Sequence, residues 1–179
     1  DETRVAVCCF AYGDAKTGES SEQISLPEYD PNIFSPGKWT FDNKHILGIK
    51  NSSRELYGSP PLLNLSTKSL QTIGELAGIP TRFDDGSENM CNFWFVAPNG
   101  KYVWISCFDG GHLVDLVTFK TWDYPLSSTP LIVDWTEDSN FAKVIIDDGA
   151  QNSQSLILPV ASLKLMPVPD DCNLLWPPI

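Results

Sequence analysis

The side chains of this sequence best suited to chemistry are two histidines, five cysteines and a recurring Asp-Gly pair. The histidines are His45 and His112. Neither sits in a catalytic or metal-binding pattern: the chain has no HExxH, no GxSxG and no phosphate-cradling glycine loop. A Ser–His–Asp constellation is assembled in space, so the residues alone assign neither histidine to catalysis. No catalytic residue is therefore expected. Asp85-Gly86, Asp109-Gly110 and Asp148-Gly149 could gather carboxylates at one rim. Calcium takes about six to eight oxygens, commonly from one dense acidic loop, and no such loop occurs. Tight hairpin turns, which favour Asp-Gly, are the simpler reading.

The cysteines are Cys8, Cys9, Cys91, Cys107 and Cys172. None forms a CxxC pair, and adjacent Cys8-Cys9 is a poor spacing for zinc. No metal and no cofactor is expected. The odd count leaves at least one thiol unpaired within a monomer. Cys107 falls in an apolar run and reads as a small core residue. In an exported chain, Cys172 is expected to bridge to Cys8 or Cys9 and tie the termini.

The elements that must position these groups read as strands. Phe93–Pro125 has the form of one four-stranded meander: Phe93–Ala97, Lys101–Cys107, Leu113–Phe119 and Trp122–Leu126. Pro98-Asn99-Gly100 and Asp109-Gly110-Gly111 supply turns between them. Such a meander cannot bury both faces alone and must stack on another sheet. Similar segments begin at Trp39, Trp94 and Trp135, each an aromatic strand end, a polar turn and a strand. Trp94 and Trp135 are 41 residues apart. That falls within the roughly 40–45 residues of a four-stranded repeat. The chain thus reads as repeats over about 33–73, 93–126 and 131–168. An insertion covers 74–92, and a buried strand spans 4–12. Leu76–Ile79 is the one candidate helical turn. The fold class is all-β, one domain over 1–179, with antiparallel four-stranded sheets.

The stretches FSPGKWTFDNKHILGI and VAPNGKYVWISCFDGGHLVDLVTFKTW resemble the repeats of WD40-like and TolB-like β-propellers, of the form SPDGKYIAF…LYLYDLETGK. The resemblance covers about Ile33–Val168 and implies a propeller-like array. The GH and WD dipeptides are not placed as a true WD40 repeat places them. Gly111-His112 lies inside the repeat, and Asp134-Trp135 runs in the reverse order. At 179 residues the chain has room for about four blades, so the array is small or incomplete.

The formal net charge is −11. Nucleic acid and anionic membranes call for Lys and Arg, so neither is an expected partner. A basic protein partner suits this charge through electrostatic steering. No apolar run is long enough for a membrane-spanning helix. A start at Asp1 without Met suits a processed chain as well as a trimmed one. Asn51-Ser52-Ser53 and Asn64-Leu65-Ser66 match the glycosylation sequon.

Loops held by a rigid β scaffold are the usual place for recognition. The second-to-third-strand loops are expected on one rim, with Phe108, Asp109, Gly110, Gly111, His112, Ser52, Ser53, Asp147 and Asp148 as partner-binding residues. Gly110 and Gly111 would keep the tip narrow, and His112 would stand at its edge. The function expected is non-enzymatic protein binding. Small size, acidity and the hairpin VWISCFDGGHLVDLVTF resemble periplasmic immunity proteins of type VI secretion amidase toxins. That resemblance implies a loop inserted into a secreted enzyme's cleft and a periplasmic or secreted location. Two alternatives stay open: a propeller-type hydrolase or lyase, and a structural subunit of a larger propeller.

Overall fold

The computed structural model describes residues 9–10, 24–25, 35–49, 60–80, 82–126, 130–147 and 153–168. A short ladder pairs β1 (Cys9–Phe10) with β2 (Ile24–Ser25). Three antiparallel four-stranded sheets follow, each built from consecutive strands. The first holds β3 (Ser35–Trp39), β4 (His45–Ile49), β5 (Pro61–Asn64) and β6 (Ser69–Thr72). The helix α1 (Ile73–Ala77) comes next. The second sheet holds β7 (Cys91–Val96), β8 (Tyr102–Cys107), β9 (Gly110–Asp115) and β10 (Thr121–Tyr124). The third holds β11 (Pro130–Trp135), β12 (Phe141–Asp147), β13 (Ser153–Pro159) and β14 (Met166–Pro167). The all-β, incomplete propeller-like array expected from the repeats is the architecture observed.

Two turns, each used three times, generate it. The first joins the opening strands of a sheet. Thr40 N donates to His45 O at 3.1 Å, Ala97 N to Tyr102 O at 2.9 Å and Thr136 N to Phe141 O at 3.0 Å. Three residues on, Asn43, Gly100 and Ser139 take positive φ of 55°, 69° and 59°. Asp42, Asn99 and Asp138 brace these turns, accepting from the N–H of Lys44, Lys101 and Asn140. At Asp138 the bond from Thr136 Oγ1 does most to hold the carboxyl below its ordinary range. At Asp42 burial pushes upward, but the bonds from Thr40 Oγ1 and Lys44 N outweigh it, and the carboxyl again sits low.

The second turn joins the closing strands. Lys68, Phe119 and Leu163 carry positive φ of 56°, 56° and 53°. Asn64 Oδ1 accepts from Ser66 N and Thr67 N, and Asp115 Oδ1 from Val117 N and Thr118 N. In the third sheet a proline, Pro159, stands at this place, and its carbonyl takes the N–H of Ser162 and Leu163 instead.

The core lies on both faces of the second sheet, and every residue of β8 and β9 is buried. Trp104 and Leu113 pack on Val133, Trp135, Val144 and Leu158 of the third sheet. Val103, Ile105, Val114 and Leu116 pack on Leu47, Leu62 and Ile73 of the first sheet and α1. Burial on both faces explains why these strands read as continuous apolar runs. Each such side chain contributes about 1.5–3 kcal/mol of transfer free energy. Polar ties stitch the sheets together: Phe41 N to Gly100 O at 2.9 Å, Trp135 Nε1 to Phe95 O at 3.2 Å, and Tyr124 Oη to Leu163 O at 2.9 Å.

Four expectations are corrected. First, Trp39 and Trp135 are equivalent, each just before its turn residue, but the second sheet has Val96 there. Trp94 stands two residues earlier, and a shift of two leaves it on the same strand face. Second, Cys107 is no lone apolar residue: it forms a disulfide with Cys91. The opening strand starts at Cys91, which puts it directly opposite Cys107. Third, the helix is Ile73–Ala77, so of the expected turn Leu76–Ile79 only Leu76 and Ala77 are helical. Thr72 and Glu75 form a capping box that starts it, and Gly78 ends it at φ 69°. Fourth, the third strand of the second sheet begins at Gly110, because Cys107 and Gly110 already pair. The expected bridge from Cys172 lies outside the described residues.

Candidate functional site

The register of the second sheet builds one polar site on the face toward α1. His112 in β9 stands opposite Ile105 in β8 and Asp123 in β10. Paired residues share a face. His112 Nδ1 lies 2.8 Å from Asp123 Oδ1, and its Nε2 lies 2.9 Å from Asp109 Oδ1. The imidazole is buried, the Asp109 side chain half-buried and the Asp123 side chain largely exposed. A neutral imidazole has one N–H, so only the doubly protonated ring donates to both carboxylates at once.

Next to this triad is a cleft of about 310 Å³, walled by Ala77–Pro80 on one side and by Asp109, His112, Thr121, Asp123, Tyr124 and Pro125 on the other. The end of α1 forms the first wall, and Thr121 Oγ1 fastens it by donating to Ala77 O at 3.1 Å. Burial pushes the Tyr124 phenol up to about 12. Cys107 Sγ lies behind the cleft, with its ligand atom and those of Asp109 and His112 all within 4.8 Å of one another.

The hairpin tip is Phe108-Asp109 alone. Phe108 is 46% exposed. Its N–H donates to Met90 O at 3.1 Å, and Asp109 N donates to Asn89 Oδ1 at 3.4 Å, so the insertion braces the tip. Gly110, Gly111 and His112 are buried in β9, not placed at the edge of a tip. Gly110 carries φ 135°, and a Cβ there would strike Tyr124 O. Gly111 leaves room for the Trp104 ring. Ser52, Ser53 and Asp148 lie outside the described residues, while Asp147 ends β12 opposite Ser153. Asp123 and the Ala77–Pro80 wall were not singled out from the sequence. Starting β9 at Gly110 would have placed Asp123 beside His112.

His45 belongs to the scaffold. It lies edge-on to Phe119 at 5.7 Å, and its Nε2 accepts from Asn64 Nδ2 at 3.1 Å. That bond leaves the proton on Nδ1, 3.8 Å from Asp42 Oδ1. It also occupies the Asn64 amide, the nitrogen that glycosylation would need.

No protein-family model matches the chain, and no curated protein matches it either. Solved structures do. An oligogalacturonate lyase in complex with manganese aligns over 87% of this chain and 40% of its own length, at 14% identity and a TM-score of 0.50. TolB from Acinetobacter baumannii aligns over 87% and 36%, at 14% identity and 0.44. The Cps50 (Swd1) β-propeller domain of Myceliophteria thermophila aligns over 92% and 62%, at 10% identity and 0.40. The chain spans less than two thirds of the length of each. At these identities the likeness is one of fold alone.

Proposed function

We propose that this is a non-enzymatic, propeller-like module that binds another protein through the Phe108-Asp109 tip and the cleft beside it. One observation carries the reading: a large apolar side chain is held exposed at a tip whose backbone is fastened to the insertion. Aromatic anchors of this kind often dominate interface energies. Asp109 supplies a half-exposed carboxylate next to the anchor, able to meet Arg or Lys of a basic partner. The net charge of −11 favours the encounter with such a partner.

The more specific form of the proposal is an immunity protein that blocks a secreted toxin enzyme, in the periplasm or outside the cell. The Cys91–Cys107 disulfide supports an oxidising compartment. The test is capture of a partner from native lysate on immobilised chain, followed by affinity measurement. Phe108→Ala should weaken the captured partner's binding by about 2 kcal/mol, roughly thirtyfold. Equal affinity for Phe108→Ala and wild type would defeat the proposal. A captured hydrolase inhibited at one-to-one stoichiometry would support the immunity form, and undiminished hydrolysis would remove it.

A further inference from the structure

We propose that opening the Cys91–Cys107 disulfide unmasks a binding site for a divalent, zinc-like cation made of Cys107, Asp109 and His112. This goes beyond partner binding and shares with it only the Asp109 carboxylate. The three ligand atoms already lie within 4.8 Å of one another. A tetrahedral zinc site, with bonds of about 2.0–2.3 Å, needs its ligand atoms about 3.3–3.6 Å apart. Closure therefore needs movements of about 1 Å or less, within the reach of side-chain rotation. The donor set of thiolate, carboxylate and imidazole is one that zinc accepts.

What stands in the way is the disulfide. Its sulfurs are neither thiols nor thiolates, and the thiolate is the metal-binding form. Reduction by a dithiol changes this. One reductant thiolate attacks Cys91 Sγ, and the Cys107 sulfur leaves with the bonding electron pair. The second reductant thiol then releases Cys91, the reductant ends as a disulfide, and its two protons pass to Cys91 and Cys107. Binding of the cation displaces to solvent the Cys107 proton and the proton that His112 Nε2 carries when it donates to Asp109. Water completes the four-coordinate shell.

His112 is already held for this role. Nε2, the nitrogen facing Asp109, would turn to the cation, while Nδ1 keeps its 2.8 Å contact with Asp123. A carboxylate on the outer nitrogen fixes ring orientation and raises ligand basicity in metal sites. The metal and the disulfide exclude one another, so the site reports the redox state of the chain.

Cobalt(II) titration of the phosphine-reduced full chain tests this. A phosphine takes oxygen from water as it reduces the disulfide, and unlike a dithiol it does not chelate the metal. Reduced wild type should bind one cobalt with thiolate-to-metal charge transfer and tetrahedral visible bands. The oxidised chain should show neither, and reoxidation should expel the metal. Cys107→Ala should abolish the charge transfer, and His112→Gln should weaken binding at least tenfold. Asp123→Asn should weaken it about tenfold without removing the thiolate band. A reduced chain that stays folded and binds no cobalt overturns the proposal. So does charge transfer that survives Cys107→Ala, which would lie on the other cysteines. Cys91→Ala frees Cys107 without any reductant. Failure of this variant to bind cobalt, or unfolding of both it and the reduced chain with zinc present, overturns it equally.

Discussion

Gly111 lies directly beneath the indole of Trp104, so close that a β-carbon on its backbone would occupy the ring's own space. Trp104 is fully buried, and its Nε1 donates to Ser106 Oγ at 3.1 Å, so the ring cannot step aside. Gly111→Ala should therefore destabilise the fold by about 1–3 kcal/mol or more, as overpacking does. A urea denaturation midpoint unchanged from wild type would show that the ring has room to move.

The bridge between Cys91 and Cys107 closes a loop with a sequence separation of 16. Loops of that size gain about 3 kcal/mol from a cross-link. Reduction in the presence of a metal chelator should lower the unfolding free energy by about that amount. Equal denaturant midpoints for reduced and oxidised chains would contradict it.

Tyr124 stacks on Trp104 at 5.3 Å and bonds to Leu163 O, and its phenol is pushed up to about 12 by burial. The unfolded chain ionises this group near 10.0 while the fold keeps it neutral. Its contribution is thus complete below pH 10 and is lost as pH rises through about 12. Stability profiles of wild type and Tyr124→Phe should converge across that window. Parallel profiles would remove Tyr124 from the alkaline response.

The two equivalent tryptophans should differ in cost. Trp135 is 8% exposed and packs between sheets, whereas Trp39 is 39% exposed. Trp135→Ala should lose about 3–5 kcal/mol and Trp39→Ala clearly less. Thermal denaturation of the two variants checks the order, and equal losses would contradict the packing.

The sheets were legible because turn chemistry is local. Asp42-Asn43, Asn99-Gly100 and Asp138-Ser139 mark the same bend by the same means: a side-chain oxygen and a residue tolerant of positive φ. Pairing was less legible, since a ladder's register depends on where both strands begin. Taking the second sheet to start at Phe93 hid the cysteine opposite Cys107. Reading Asp109-Gly110-Gly111 as the turn hid the histidine between two aspartates. The turn residues keep negative φ at 108 and 109, and the positive angle falls at Gly110, inside the ladder. Thr72 and Glu75, by contrast, were a readable helix start three residues apart.

The middle sheet's enclosure also sets a clock. Both strands β8 and β9 have a hydrogen-bonded neighbour on each side and protein over both faces. No local fraying can bring deuterium to their amides, so these should exchange only when the whole array opens. The amide of Met166, in the outlying and exposed β14, should exchange orders of magnitude sooner. Slowest exchange in Val103–Ile105 would give the global unfolding free energy directly, and rapid exchange there would mean that the sheets part without unfolding.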